Sequence, residues 1–259
     1  MELTTKNLQL RLAVTDQDRR AAERLRYDVF VRELGGDGDL VDHQGRLERD
    51  AFDAVADHLV LIDDTRDADA LDHVIGAYRL LTERHVAETG RFYSEAEYDL
   101  APLKATGQKL LELGRSCIHS DYRGGLALRQ LWSGLAAYVQ QHDIRILFGV
   151  ASFHGTDVRR HAAALSHLYH AHLAPFDLRV RALDEFYARM DLVAADAIDR
   201  VAAMRDVPAL IKSYLRLGGF VGDGAFVDHA FNTTDVCLVM DTHRLSDEAR
   251  SRYSGTVLS

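Results

Sequence analysis

Proline is scarce in this chain of 259 residues, occurring only as Pro102, Pro175 and Pro208, and cysteine is scarcer, with Cys117 and Cys237 alone. Without a Pro/Gly/Ser-rich stretch there is no linker to divide the chain, so it reads as one domain over 1–259. Two cysteines in apolar runs exclude a disulfide framework and read as buried free thiols of a reducing cytoplasm. No run of about 18 apolar residues occurs, which excludes a transmembrane helix. The start, MELTTKNLQLRLAV, lacks a basic segment followed by an apolar block, so no secretory signal is expected. A basic balance is missing too: the formal charge is -9, which argues against nucleic acid as a partner. No Gly-x-Ser-x-Gly elbow marks a serine hydrolase. Histidines are plentiful at His154, His161, His167, His170 and His172, but no further ligand falls at zinc spacing. They read as surface or partner-facing groups, and no metal is expected.

What is present is a hydrophobic fraction of 47%, enough for a sizeable core, and an uneven spread of charge. Between Glu33 and Asp72 thirteen acidic residues face three arginines, whereas from Arg115 to Arg160 six arginines face three aspartates. The acidic stretch suits a cationic acceptor and the basic stretch a phosphate or an acidic carrier; both also read as solvated surface charge. Along the chain, apolar spacing predicts a helix over 16–34, with Ala22, Leu25, Val29 and Phe30 on one face. Strands are predicted at His58–Asp63, His73–Thr82, Lys109–His119, Ile144–Ser152, Leu178–Leu183 and Asp235–Asp241. Helices are predicted at Leu126–His142 and Asp157–His172, in an insertion about 184–207, and after Pro208; a short C-terminal tail follows. This order is a mixed α/β arrangement. Gly222-Asp223-Gly224 precedes no helix, which removes the dinucleotide-binding alternative.

The segment LELGRSCIHSDYRGG, 111–125, concentrates groups with chemistry. Glu112 lies in an apolar strand, where a carboxylate is costly without a partner or a task. It reads either as the base that takes a proton from an amine, directly or through water, or as the ion-pair partner of Arg115. Arg123, Gly124 and Gly125 stand between strand and helix, where backbone N–H groups and the helix N-terminus can receive an anion, with Arg129 one turn on. Tyr169 is the candidate acid for a leaving thiolate, with Ser166 a weaker alternative; a buried ring with a wet hydroxyl explains Tyr169 as well. His161–Pro175 fits a packed helix better than a membrane-surface one, because it carries no lysine.

Arg26-Tyr27-Asp28-Val29-Phe30, the aspartates of RDAFD (Asp50 and Asp53), the strand Ala77-Tyr78-Arg79-Leu80 and LELGRSCIH resemble acyl-homoserine-lactone synthases. RGGLALRQLWSGLA, FGVASFHGTD and YLRLGGFVGDGAFVD with FNTTDVCLV more closely resemble the hemolysin-like GNAT proteins that acylate the α-amine of ornithine in bacterial ornithine-lipid synthesis. The likeness runs from about Arg26 to Asp241. It implies a GNAT fold, a mixed central sheet flanked by helices, and transfer of a 3-hydroxyacyl group from acyl carrier protein to ornithine, giving lyso-ornithine lipid. No cofactor is implied beyond the carrier's phosphopantetheine arm. Glu112 and Arg115 match the family's strand glutamate and arginine. Arg26, Phe30, Asp50, Asp53 and Arg79 match the residues shaping the substrate site, with the backbone of Ser116, Cys117 and Ile118 beside the thioester carbonyl. Leu126 and Leu128 stand where a CoA-binding GNAT loop keeps small residues, which suits a carrier-protein donor. In a regular strand Glu112 and Arg115 face opposite sides, so a shared site requires a bulge between them. The rival readings are a lactone synthase using S-adenosylmethionine and a non-enzymatic module that binds acyl carrier protein. The implied location is cytoplasmic, with a peripheral contact at the inner membrane as an option.

Overall fold

The computed structural model describes residues 7–38, 41–123 and 125–244. The chain packs as two compact units, one built on Met1–Gly90 and Leu113–Asp143, the other on Arg91–Glu112 and Ile144–Asp247.

In the first unit, β1 (Leu8–Leu12) pairs antiparallel with β2 (Asp57–Asp63), which pairs antiparallel with β3 (Val74–Thr82). The β1 strand escaped the sequence reading, although Leu8, Leu10 and Leu12 alternate with Gln9 and Arg11 as a half-buried edge strand should. Helix α1 (Asp16–Arg26) is started by Thr15, whose hydroxyl accepts from Asp18 N–H while the Asp18 carboxylate accepts from Thr15 N–H. The same carboxylate binds Arg11 through two hydrogen bonds, 2.8 and 3.0 Å, tying the cap to the edge strand. Beyond Arg26 the helix widens into a π-helical stretch, Tyr27–Glu33, and Gly35 at φ +75° follows its end. Ala22, Leu25 and Val29 enter a core cluster with Val60, Ile62, Val74, Ala77 and Cys117, and Phe30 packs at its margin. The wider turn explains why Phe30 sits aside from the α-helical stripe.

Helix α2 (Glu83–Thr89) follows β3, and α3 (Leu126–His142) covers the sheet. A Cβ on Gly134 of α3 would stand 2.7 Å from Leu10 Cδ2, and one on Gly76 of β3 2.9 Å from Leu131 Cδ1. These two glycines set how closely helix and sheet approach.

Strand β4 (Leu110–Ile118) contributes its second half to the first unit, beside β3. Its first half belongs to the second unit, where Leu110, Leu111 and Glu112 pair parallel with Ile146, Leu147 and Phe148 of β5 (Ile146–His154). There β6 (Ala225–Asp228) forms a hairpin with β7 (Thr233–Asp241), and β7 runs antiparallel to β5 from Thr233↔His154 to Asp241↔Ile146. The mixture of parallel and antiparallel pairing fits the expected mixed sheet. Helices α4 (Ala162–His172), α5 (Arg200–Asp206) and α6 (Ala209–Arg216) complete this unit.

Several boundaries differ from the sequence reading. Val158–His161 is a 3-10 turn, so α4 starts only at Ala162. Leu178–Leu183 is a strand only at Arg181–Ala182. The insertion 184–207 is helical only in α5 and in two 3-10 turns; Tyr187–Ala188 instead pairs with Ala225–Phe226. There the Tyr187 ring lies under the Arg181 guanidinium, 4.4 Å from its centroid, and fills the space a side chain at Gly224 would need. The helix over His161–Pro175 is packed, with Ala164, Leu165, Ser166, His167 and Leu168 buried. His167, read as a surface group, is thus an interior one beside His172. Cys117 and Cys237 are buried and free. No helix of the described residues is long and apolar enough to cross a membrane.

Candidate active site

The first unit gathers charge where a protein rarely tolerates it. Arg26, at the end of α1, is 1% exposed and forms a two-pronged pair with Asp53, at 2.6 and 2.8 Å, while its Nε donates to Glu48. Arg79, from β3, is equally buried and donates to Asp50 (2.6 Å) and Asp53 (3.2 Å), its guanidinium lying over the Phe52 ring. Arg115, from β4, donates to Glu48 (3.1 Å) and Asp50 (3.2 Å). Three guanidinium groups and three carboxylates therefore interlock, with charges that cancel. The 50–53 turn is closed by the same carboxylates, since Asp50 N–H donates to Asp53 and Phe52 N–H to Asp50. Beneath it, His58 Nε2 donates to the Asp53 carbonyl, and burial lowers that imidazole's pKa and favours its neutral form. Burial alone would raise the Asp53 carboxyl, but the charges and hydrogen bonds of Arg26, together with Arg79, hold it well below the usual carboxylate range.

Arg115 is also where β4 departs from regularity. Its φ of +52° is left-handed, which costs a non-glycine residue roughly 1–2 kcal/mol. Its side chain is held by the ion pairs to Glu48 and Asp50, whereas Glu112 engages other partners, so the two are not brought into one site. Following Arg115, Ser116 and Ile118 are half-buried, while Cys117 points into the core cluster, where burial pushes its thiol up to about 12. An inert packing thiol fits those surroundings.

In the second unit Glu112 is 2% exposed and serves a different purpose. Its Oε1 accepts from Ser94 N–H (2.6 Å) and from the Ser94 hydroxyl, and its Oε2 from Tyr93 N–H (2.7 Å). It thereby anchors the 3-10 turn Tyr93–Ala96 onto β4. The carboxylate the sequence singles out is held by two backbone amides and a hydroxyl.

The remaining candidates are placed as follows. Arg123 is half exposed; it donates to the Ile118 carbonyl (3.0 Å) and pairs with Glu33 (2.6 Å). Gly124 lies outside the described residues. Gly125, at φ +92°, caps α3, and Arg129 one turn later is exposed. Tyr169 is half-buried, edge-on to His170. Ser166 is completely buried: it donates to the Met190 carbonyl and accepts from Leu192 and Val193 N–H, pinning the 190–193 loop. That engagement removes it as the acid for a thiolate. Asp50 and Asp53, read as an attraction for a cationic acceptor, are already neutralised by arginines. Glu48 was missed altogether, although its two-residue spacing from Asp50 puts both carboxylates on one side of an extended segment.

A buried arginine–carboxylate platform, a central strand with one left-handed residue and a glycine-capped helix after it fit an acyltransferase of the GNAT class. Residues 25–133 match the acetyltransferase (GNAT) domain family. A CoA-dependent acyl-homoserine lactone synthase, BjaI, shares the fold at TM-score 0.54, with 97% of this chain and 92% of that one aligned at 13% identity. The L-ornithine Nα-acyltransferase of Rhodobacter capsulatus is 59% identical over 249 residues, 96% of this chain and 95% of that protein. The enzyme of the same name from Brucella abortus is 39% identical over 249 residues, 95% and 89% of the two chains. The chain belongs to the L-ornithine Nα-acyltransferase family.

Proposed function

We propose that this protein transfers a 3-hydroxyacyl group from acyl carrier protein to the α-amine of L-ornithine. The neutral amine attacks the thioester carbonyl; the C–N bond forms, the C–S bond breaks, and the pantetheine thiol leaves with the proton the amine gives up. The observation that carries the reading is the buried platform of Arg26, Arg79 and Arg115 in a chain 59% identical to a named ornithine acyltransferase. Such a platform is rigid, and rigidity is what positioning an amine against a thioester demands.

The proton needs no dedicated strong base. An α-amine titrates near ~8, against ~10.4 for a lysine-like side chain, so a usable fraction of it is already neutral. We accordingly assign Glu112 to positioning the 93–96 turn rather than to direct proton abstraction. A base predicts that Glu112→Gln loses turnover most where the wild type depends on pH; an anchor predicts a uniform loss of turnover with lowered stability.

For the donor, Arg123 and Arg129 flanking the Gly125 cap support a single phosphate on a carrier-protein arm. Rates measured with the same 3-hydroxyacyl chain on acyl carrier protein and on CoA test this. A much higher kcat/KM for the carrier-bound chain supports the reading, and equal or higher values for CoA refute it. A cytoplasmic enzyme with a peripheral inner-membrane contact follows from the same reading, because an N-acylated ornithine is an amphiphile.

A further inference from the structure

Glu23 lies on α1, one turn before Arg26, and is 8% exposed. Among the described residues its Oε2 is buried without a hydrogen-bond partner. Three residues apart on one helix, Glu23 and Arg26 share a face, and the charges acting on Glu23 most strongly are those of Arg26, Asp53, Arg49 and Glu48. Of these only Arg49 is a cation outside the interlocked set, and it is exposed, where water screens it. With Glu23 included, four carboxylates meet three interlocked guanidinium groups. The fourth carboxylate is the one with a buried, unbonded oxygen, and burial raises its pKa from the ordinary glutamate value. A buried carboxylate in this state is costly unless a cation joins it.

We propose that Glu23 receives the side-chain ammonium of the amino-acid acceptor, a specificity role that rests on the ornithine reading above. The chemistry favours it. A δ-ammonium keeps its charge at neutral pH and must be desolvated when the α-amine is brought to the thioester. Paired with Glu23, it has a counter-ion, and the pairing holds it protonated and therefore non-nucleophilic. One carboxylate thus selects diamino acids and directs acylation to the α-nitrogen.

The test uses purified full-length protein with 3-hydroxyacyl carrier protein and two acceptors, L-ornithine and L-norvaline, which lacks the δ-amine. The ratio of kcat/KM for ornithine over norvaline should fall about tenfold or more in Glu23→Gln, as expected for losing a charge-assisted hydrogen bond. Mass-spectrometric fragmentation should also reveal Nδ-acylornithine that the wild type does not make. Should Glu23→Gln fail to fold, Glu23→Asp retains the charge one methylene further back, and its preference should move from ornithine toward lysine. An unchanged ornithine/norvaline ratio in Glu23→Gln, or an unchanged ornithine/lysine ratio in Glu23→Asp, overturns the role of Glu23. A wild type that makes no acylornithine overturns instead the reading on which it rests.

Discussion

The two units bury carboxylates by opposite means. In the first, Glu48, Asp50 and Asp53 are neutralised by Arg26, Arg79 and Arg115, so charge is met by charge across α1, β3, β4 and the 48–53 segment. In the second, Glu112 is met by the amides of Tyr93 and Ser94 and by a hydroxyl, with local backbone as its counterpart. The first arrangement joins elements far apart in sequence and fails as a whole when one member is lost. The second fixes one turn to one strand and fails locally. A platform of the first kind suits a site that must keep its shape.

The largest effect should come from breaking the first arrangement. Arg26→Leu leaves only Arg79 and Arg115 against the buried carboxylates of Glu48, Asp50 and Asp53, one negative charge in excess, and should cost about 3–5 kcal/mol, measured by urea unfolding followed by circular dichroism. Breaking the second with Glu112→Gln should cost less, about 1.5–3 kcal/mol, because two amides and a hydroxyl lose a charged acceptor. The same measurement on Ser166→Ala, which frees the amides of Leu192 and Val193 and leaves an interior carbonyl without its donor, should give about 1–3 kcal/mol.

A pH titration sharpens the contrast. The Asp53 carboxyl is held below its unfolded value, so its stabilising contribution is complete above pH ~4 and is lost as pH falls further. Wild-type stability should therefore drop on acidification below that point, and Asp53→Asn should flatten the curve there. A curve of unchanged steepness would detach the acid sensitivity from this platform. Glu23 has the opposite sign: its raised pKa makes it a liability as pH rises through that value, so Glu23→Gln should melt at a slightly higher temperature at neutral pH.

Much of this was legible before any coordinates. The helix–strand order around LELGRSCIHSDYRGG announces the fold, and the resemblance points to Arg26, Asp50, Asp53, Arg79 and Arg115, which meet in one network. The partners of those residues were harder to read. Glu48 lies in an acidic stretch and Glu23 in a helix of mixed charge, both of which ordinarily mean solvated surface, and only tertiary packing buries them. Glu112 stands out as an acid in an apolar strand, yet its partners lie 18 and 19 residues upstream in a 3-10 turn that no periodicity marks. The left-handed backbone at Arg115 is likewise set by ion pairs to Glu48 and Asp50 that no local pattern encodes. The insertion 184–207 is expected to be helical, yet at Tyr187–Ala188 it pairs with Ala225–Phe226 instead, a long-range contact that no local pattern encodes.

The most direct test is the product formed when purified protein is mixed with 3-hydroxyacyl carrier protein and L-ornithine at neutral pH. The account predicts a single acylornithine, with fragmentation placing the acyl group on the α-nitrogen. Exclusive acylation of another amine, or release of free fatty acid with no amide formed, would contradict it.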